Sequence, residues 1–153
     1  MKRMLIRKAN IEDCNKLDEL LTLLIKDEKQ YDDSINGFFA VIGYYENFVN
    51  DQDRCLLVAL DNNEIVGYIY GFKQEKDPTV EKEEYLLDAL YVLENYRNKG
   101  IGKSLIQEFK AWCEGLNATN INVNVCSKNE TAKALYKENN FITVKETMTL
   151  KIK

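Results

Sequence analysis

The residues best equipped for chemistry sit together: Arg97-Asn98-Lys99-Gly100-Ile101-Gly102-Lys103-Ser104. They follow a strand-like apolar run, Tyr85–Leu93, and open an amphipathic helical pattern. A helix start presents unpaired backbone N–H groups and the positive end of its dipole, and glycine lets a ligand come close to that backbone. Such a turn is a seat for a phosphate. The preceding run (YLLDALYVL) contains Asp88, and Glu84 stands four residues earlier on the same strand face, while Glu83 faces the other way. An apolar setting raises a carboxylate toward pKa values at which it can accept a proton. Further on, Asn129 and Tyr136 are two helical turns apart and share one helix face.

Spacing narrows the phosphate ligand. A Walker A loop needs G-x-x-x-x-G-K-[ST]. Gly102-Lys103-Ser104 supplies its end, but Arg97 stands where the first glycine belongs. A dinucleotide fingerprint needs a third glycine or alanine where this chain has Leu105, and the strand comes late rather than opening a βαβ unit. A third pattern, [RQ]-x-x-G-x-[GA], is met by Arg97, Gly100 and Gly102.

The elements that must position these residues follow from periodicity. Met4–Arg7 reads as a strand, and Asn10 caps a helix carrying Ile11, Cys14, Leu17, Leu20, Leu21, Leu24 and Ile25 at helical spacing, ending near Asp27–Gln30. Tyr31–Gly37 is turn-rich. Phe38–Val49, heavy in aromatics, reads as a second, shorter helix. Cys55–Leu60 and Ile65–Lys73 form a hairpin around Asp61-Asn62-Asn63-Glu64, with Gly67 and Gly71 marking a bulge or a close approach. Ile101, Leu105, Phe109, Trp112 and Leu116 form the apolar stripe of the helix after the turn. Ile121–Val125 alternates as a half-buried strand, Asn129–Glu138 is a helix ended by Asn139-Asn140, and Phe141–Lys145 with Thr147–Lys153 reads as a closing strand pair. The order β α α β β β α β α β β favours an α/β (α+β) domain, 1–153, with a mixed sheet and helices on both faces.

Composition bounds the function. The chain has 153 residues, 45% hydrophobic and 30% charged, as one folded domain requires. A net charge of −4 argues against nucleic acid or an anionic membrane as partner. The absence of histidine excludes His-based triads and His metal sites, and no metal is expected. Cys14, Cys55, Cys113 and Cys126 form no CxxC pair and lie in apolar patterns, which reads as buried thiols in a reducing cytoplasm. Lys2 and Arg3 precede only a short strand-like run, so no signal peptide is expected, and no apolar run approaches the ~20 residues that span a bilayer.

Taken together, these stretches resemble the GNAT superfamily of acetyl-CoA-dependent N-acetyltransferases. The resemblance runs through IRKANIEDCNKLDELL, the hairpin CLLVALDNNEIVGYIYG, the motif LYVLENYRNKGIGKSLI and SKNETAKALYKENNFI. It implies a mostly antiparallel mixed sheet of about seven strands. It implies that the turn Arg97, Asn98, Lys99, Gly100, Ile101 and Gly102 wraps the coenzyme A pyrophosphate with its amides, with Arg97 and Lys99 adding positive charge and Lys103 and Ser104 helping to hold it. It implies a bulge in the preceding strand, which the residues themselves do not show, and free backbone groups at Leu90, Tyr91 and Val92 that pair with the pantetheine arm. Asn129 would lie along that arm and Tyr136 would protonate the departing thiolate. Asn140 stands where the family often has glycine, and tolerates the same backbone. The general base, where one is used, would be Asp88 or Glu84, with Asp88 alternatively anchoring the substrate ammonium.

The implied reaction is attack of a primary amine of a small molecule or peptide on the acetyl thioester in a ternary complex. Asp27, Glu28, Asp32, Asp33, Glu84 and Asp88 suit a cationic acceptor, and Phe38 and Phe39 could wall its cleft. A covalent acetyl-Cys126 route is disfavoured because no histidine activates that thiol. The second class is a non-catalytic acetyl-CoA-binding regulatory domain. The closing strands and aromatics also fit a homodimer.

Overall fold

The apolar runs become one mixed sheet in the computed structural model, which describes residues 4–153. Lys2 and Arg3 lie outside the described residues. β1 (Leu5–Lys8), β2 (Arg54–Asp61), β3 (Glu64–Lys73), β4 (Glu84–Val92) and β5 (Asn120–Val123) lie side by side in chain order. The first four alternate in direction, and β5 runs parallel to β4. The mixed, mostly antiparallel sheet is as expected, with five strands among the described residues rather than about seven.

Helices cover both faces. On one, α1 (Cys14–Glu28) sets Leu17 and Leu20 against Val58, Tyr68 and Tyr70. On the other, α2 (Ile101–Gly115) sets Leu105, Ile106 and Phe109 against Val66, Ile69 and Leu87. α3 (Glu130–Glu138) packs at the margin of the second core through Leu135 and Tyr136. Gly71 is the close approach its position suggested. A Cβ there would overlap the Phe109 ring and the Leu86 carbonyl, so α2 lies directly on the β3 backbone.

Asn10 caps the start of the first helix through a 3₁₀ turn, Ile11–Asp13. Its Oδ1 accepts from the Glu12 amide at 3.0 Å, and Asp13 Oδ2 accepts from the Asn10 amide at 2.8 Å. Asp13 also takes both terminal nitrogens of Arg7, at 2.7 and 3.1 Å, which ties β1 to α1 and holds the Asp13 carboxyl below the usual carboxylate range.

Phe38–Val49 is not a helix. Only a 3₁₀ turn, Tyr45–Asn47, forms there. Three of the segment's amides, those of Val41, Gly43 and Tyr45, bond to side chains of α1 instead of continuing a helical ladder. Val41 N donates to Thr22 Oγ1 at 3.0 Å, and Asp18 accepts from Gly43 N at 2.9 Å and Tyr45 N at 3.2 Å. Gly43 is left-handed (φ 67°), which stops helix propagation in mid-segment. Tyr45 and Val49 enter the core, whereas Phe38 is 97% exposed. The closing strand pair is also absent. Phe141 is half-buried, and residues 142–153 carry no strand and are exposed throughout. Of the four cysteines, Cys14, Cys55 and Cys113 are buried as expected, but Cys126 is exposed.

Candidate active site

β4 carries an irregularity that the residues alone did not reveal. Tyr70 pairs with Ala89 and Gly71 with Leu87, so Asp88 is the extra residue of a β-bulge. The bulge reverses the strand's alternation. Before it, Tyr85 and Leu87 face α2; after it, Ala89 and Tyr91 face the α1 side, while Leu90 and Val92 turn toward α2. Asp88 and Ala89 thus lean to the same side of the sheet, which keeps a carboxylate at the surface of a strand whose neighbours are buried.

β5 pairs with β4 only from Glu84 to Leu87. From Asp88 to Val92 the β5 side of β4 has no strand partner among the described residues, so the two strands splay apart. Leu90, Tyr91 and Val92 line this open edge. Arg97 Nε already donates to the Val92 carbonyl at 2.8 Å.

The open edge leads into the turn. Asn98 (φ 62°) and Gly100 (φ 83°) both adopt the left-handed backbone, one on each side of Lys99. Gly100 caps α2 and offers no side chain to its amides, and the first bond back to it comes from Ser104 N at 3.0 Å. The amides of Ile101, Gly102 and Lys103 therefore have no helical acceptor. A Cβ on Gly102 would meet only Leu135, at an ordinary 3.6 Å, so packing does not require glycine there. Lys103 and Ser104 lie on the first turn of α2. The Lys99 ammonium lies 5.4 Å from the Tyr96 ring centroid. Arg97 points toward α1 instead: it bonds Asp27 at 3.2 Å and covers the Tyr91 ring at 5.2 Å. It braces the turn against α1. An anionic group fits this cradle of free amides beside two lysines.

Asn129 caps α3, its Oδ1 accepting from Ala132 N at 3.1 Å. Tyr136 lies one helix face along and stacks edge-on with Phe141, ring centroids 5.3 Å apart. Burial pushes its phenol up, so the hydroxyl stays protonated across the neutral range. It makes no hydrogen bond among the described residues.

The two carboxylates of β4 part company. Glu84 stands at the strand's opposite end from the turn, where Asn120 Nδ2 approaches it at 3.4 Å. Next to it, Glu83 is clamped by Lys73 and Lys76 and held at about 2. Asp88 has a carboxyl raised by desolvation, with the Arg54 guanidinium opposing the shift. That guanidinium is itself fixed between the rings of Phe48 (4.2 Å) and Phe72 (4.9 Å) and bonds the Tyr70 hydroxyl. Glu28, which the sequence offers only as one of six acidic residues suited to a cationic acceptor, lies in the last turn of α1. The structure brings it within electrostatic reach of both Asp88 and Tyr136. Desolvation raises Glu28 first, and the Asp88 charge raises it further. Only the position of Glu28 at the predicted end of the helix hinted at this, because its neighbours come from β4 and α3. Across the same region Cys126 donates its thiol hydrogen to the Tyr31 carbonyl at 3.1 Å, joining the chain after β5 to the chain after α1.

The region thus has two parts: the uncapped turn Asn98–Ser104 with its free amides, and the carboxylate of Glu28, which lies within electrostatic reach of Asp88 on one side and of Tyr136 on the other. Comparison with known proteins matches both the length and the fold. A family model described as the acetyltransferase (GNAT) family matches residues 17–141. An N-alpha-acetyltransferase of Sulfurisphaera tokodaii is 29% identical over 151 residues, covering 94% of this chain and 83% of that protein. An N-alpha-acetyltransferase of Saccharolobus solfataricus is 26% identical, covering 92% and 81%. Among solved structures, a tetramutant of the BH1408 protein of Bacillus halodurans superposes with a TM-score of 0.86 at 22% identity, covering 97% of this chain and 99% of that one.

Proposed function

The chain belongs to the GNAT acetyltransferase family, and from that premise we propose that it moves the acetyl group of acetyl-CoA to the free α-amine of a peptide, by direct attack in a ternary complex. Family and relatives make it an acetyl-CoA-dependent acyltransferase. The α-amine is supported by the relatives' names, and the direct route by the residues in the cleft.

The observation that carries the proposal is the open edge of β4 running into the left-handed turn and the uncapped start of α2. The open backbone edge along Leu90–Val92, where Arg97 holds the Val92 carbonyl, suits an extended amide-bearing arm. The amides of Ile101, Gly102 and Lys103, with Lys99 and Lys103 nearby, suit its pyrophosphate. Asn129 and Tyr136 line the α3 side.

A peptide α-amine has a pKa of about 7.7–8.0, so a substantial share is ammonium at neutral pH. Asp88 takes the proton from that ammonium, directly or through water, and its raised pKa suits the task. The freed nitrogen lone pair attacks the thioester carbonyl carbon. Collapse of the tetrahedral adduct breaks the carbon–sulfur bond, the thiolate takes its proton from the Tyr136 hydroxyl, and the surplus proton of the amide nitrogen leaves through water and restores the phenol. Glu28 adds a second negative charge where the ammonium arrives. Glu84, at the far end of β4, is left outside this chemistry.

The test is a panel of peptides with free N-termini, lysine-only amines, polyamines and aminoglycosides, incubated with acetyl-CoA and read by mass. Acetylation confined to peptide α-amines is expected. Turnover of only the non-peptide amines would overturn the acceptor assignment, and coenzyme A binding with no turnover on any amine would overturn the direct-transfer chemistry.

A further inference from the structure

Arg54 is the first residue of β2, yet its side chain does not run out into solvent. The guanidinium is packed between the rings of Phe48, at 4.2 Å, and Phe72, at 4.9 Å. Its Nε donates to Asp51 at 3.2 Å, and its Nη1 donates to the Tyr70 hydroxyl. Two ring faces and two hydrogen bonds hold the planar fork in one place. Phe48, Tyr70 and Phe72 belong to the core on the α1 side of the sheet, so the positive charge stands on that face. Asp88 leans to the same face from the bulge of β4. Tyr70 connects the two: its hydroxyl bonds Arg54, and its backbone pairs with Ala89, the residue after Asp88.

The titratable groups within electrostatic reach of Asp88 come from four elements. β3 supplies Tyr68 and Tyr70, and the segment after α1 supplies Tyr44 and Tyr45. Burial raises all four phenols, so they stay neutral and add no charge. α1 supplies Glu28, while its Asp18 is spent on the amides of Gly43 and Tyr45. β2 supplies Arg54, and no other cation acts on Asp88 among the described residues. The charge balance at Asp88 is therefore one carboxylate against one guanidinium. Two carboxylates in one desolvated region lose their protons in turn, because the first charge opposes the second. The one beside a cation goes first. Environments that push two carboxyls apart in this way divide their chemical roles.

We propose that Arg54 is a positioning residue for the transfer reaction: clamped between Phe48 and Phe72 and tied to Tyr70, it keeps Asp88, rather than Glu28, in the ionised form that receives the proton of the incoming ammonium. This rests on Asp88 acting as the base of the direct transfer proposed above. In that step the proton passes from the ammonium nitrogen to the Asp88 carboxylate, and the nitrogen keeps the electron pair. Arg54 neither gives nor takes a proton, since a guanidinium stays charged throughout the working range. It acts through its fixed charge alone.

Carbon-13 carboxyl shifts of the full chain, followed over pH, test this, with Asp88→Asn and Glu28→Gln assigning the two signals. In the unmodified chain Asp88 should titrate below Glu28. Arg54→Met keeps an apolar stem between the two rings and removes the charge. It should raise the Asp88 midpoint by about one pH unit, the low end of what a neighbouring guanidinium does. With a peptide acceptor, kcat/KM should then fall about tenfold on its acid limb. Arg54→Lys restores the charge without the fork and should bring both back toward the parent. An Asp88 midpoint unmoved in Arg54→Met overturns the proposal. So does a rise shared equally by Arg54→Lys, which would make the effect one of packing. A parent in which Asp88 holds its proton to higher pH than Glu28 also overturns it, and that result needs only a folded parent should Arg54→Met fail to fold. A midpoint that rises while the acid limb stays put supports the pairing of Arg54 with Asp88 and overturns the base role of Asp88, so the two failures read differently.

Discussion

Replacing Tyr136 with phenylalanine separates chemistry from binding. The substitution deletes one oxygen. The Tyr136 ring keeps its edge-on contact with Phe141, and its hydroxyl bonds no other residue among those described. No partner is orphaned, so the stability change should stay within about 0.5 kcal/mol. The anion seat over Asn98–Ser104 is untouched, so the Kd for coenzyme A should hold. Turnover is different. A positioned acid contributes roughly 10²–10⁴-fold to rate, which at 1.36 kcal/mol per tenfold is about 2.7–5.4 kcal/mol of barrier. Burial holds the phenol protonated, so the acid is present across the neutral range and the loss should be nearly independent of pH there. The assay is thiol release from acetyl-CoA with a saturating peptide, beside calorimetric titration of coenzyme A and thermal melting. A variant that keeps turnover within about threefold of the parent would refute the role of Tyr136, since solvent or another group would then protonate the thiolate. A loss of coenzyme A affinity equal to the loss of rate would make the residue a binding group.

Further outcomes follow from the same geometry. Gly100→Ala forces a side chain into a left-handed position with open space around it, so it should cost only about 1–2 kcal/mol of stability while weakening coenzyme A binding; urea titration and calorimetry check the two separately. Asp88→Asn should remove the acid limb of the kcat/KM–pH profile and lower its plateau by about 10²–10⁴-fold if Asp88 accepts the ammonium proton. Glu28 is raised in the folded protein, so its ionisation opposes folding above that raised pKa. Glu28→Gln should therefore be more stable than the parent at neutral pH, with the gain shrinking as pH falls toward the ordinary Glu value of about 4.3, a trend readable by urea titration at several pH values. Asp13 is lowered, so its contribution is present above the ordinary Asp value and fades as pH falls through its folded pKa. Asp13→Ala should cost about 1–3 kcal/mol at neutral pH and less in acid, with melts across pH as the check.

Local patterns carried much of this protein. Apolar runs and a turn marked β2 to β4, alternation marked β5, helical spacing marked α1 and α2, Asn10 and Asn129 stood at their helix starts, and two glycines after a strand marked the left-handed turn before α2. Each of these depends on contacts within a few residues, so the amino-acid order alone is sufficient. The departures have one cause in common: partners distant in sequence. Phe38–Val49 has the apolar load of a helix, but Asp18 and Thr22 of α1 take its amides. The bulge at Asp88 exists because β3 pairs around it, with the α2 helix pressed onto Gly71 of that same strand. Glu28 joins Asp88 and Tyr136 only after α1, β4 and α3 are assembled. The closing segment has a strand's alternation but pairs with no strand among the described residues. Residue order thus determined the helices, the main strands and the glycine-bearing turn before α2. Tertiary structure alone decided which carboxylates face the cleft, because a charge is placed, and its pKa moved, by neighbours that only folding brings near.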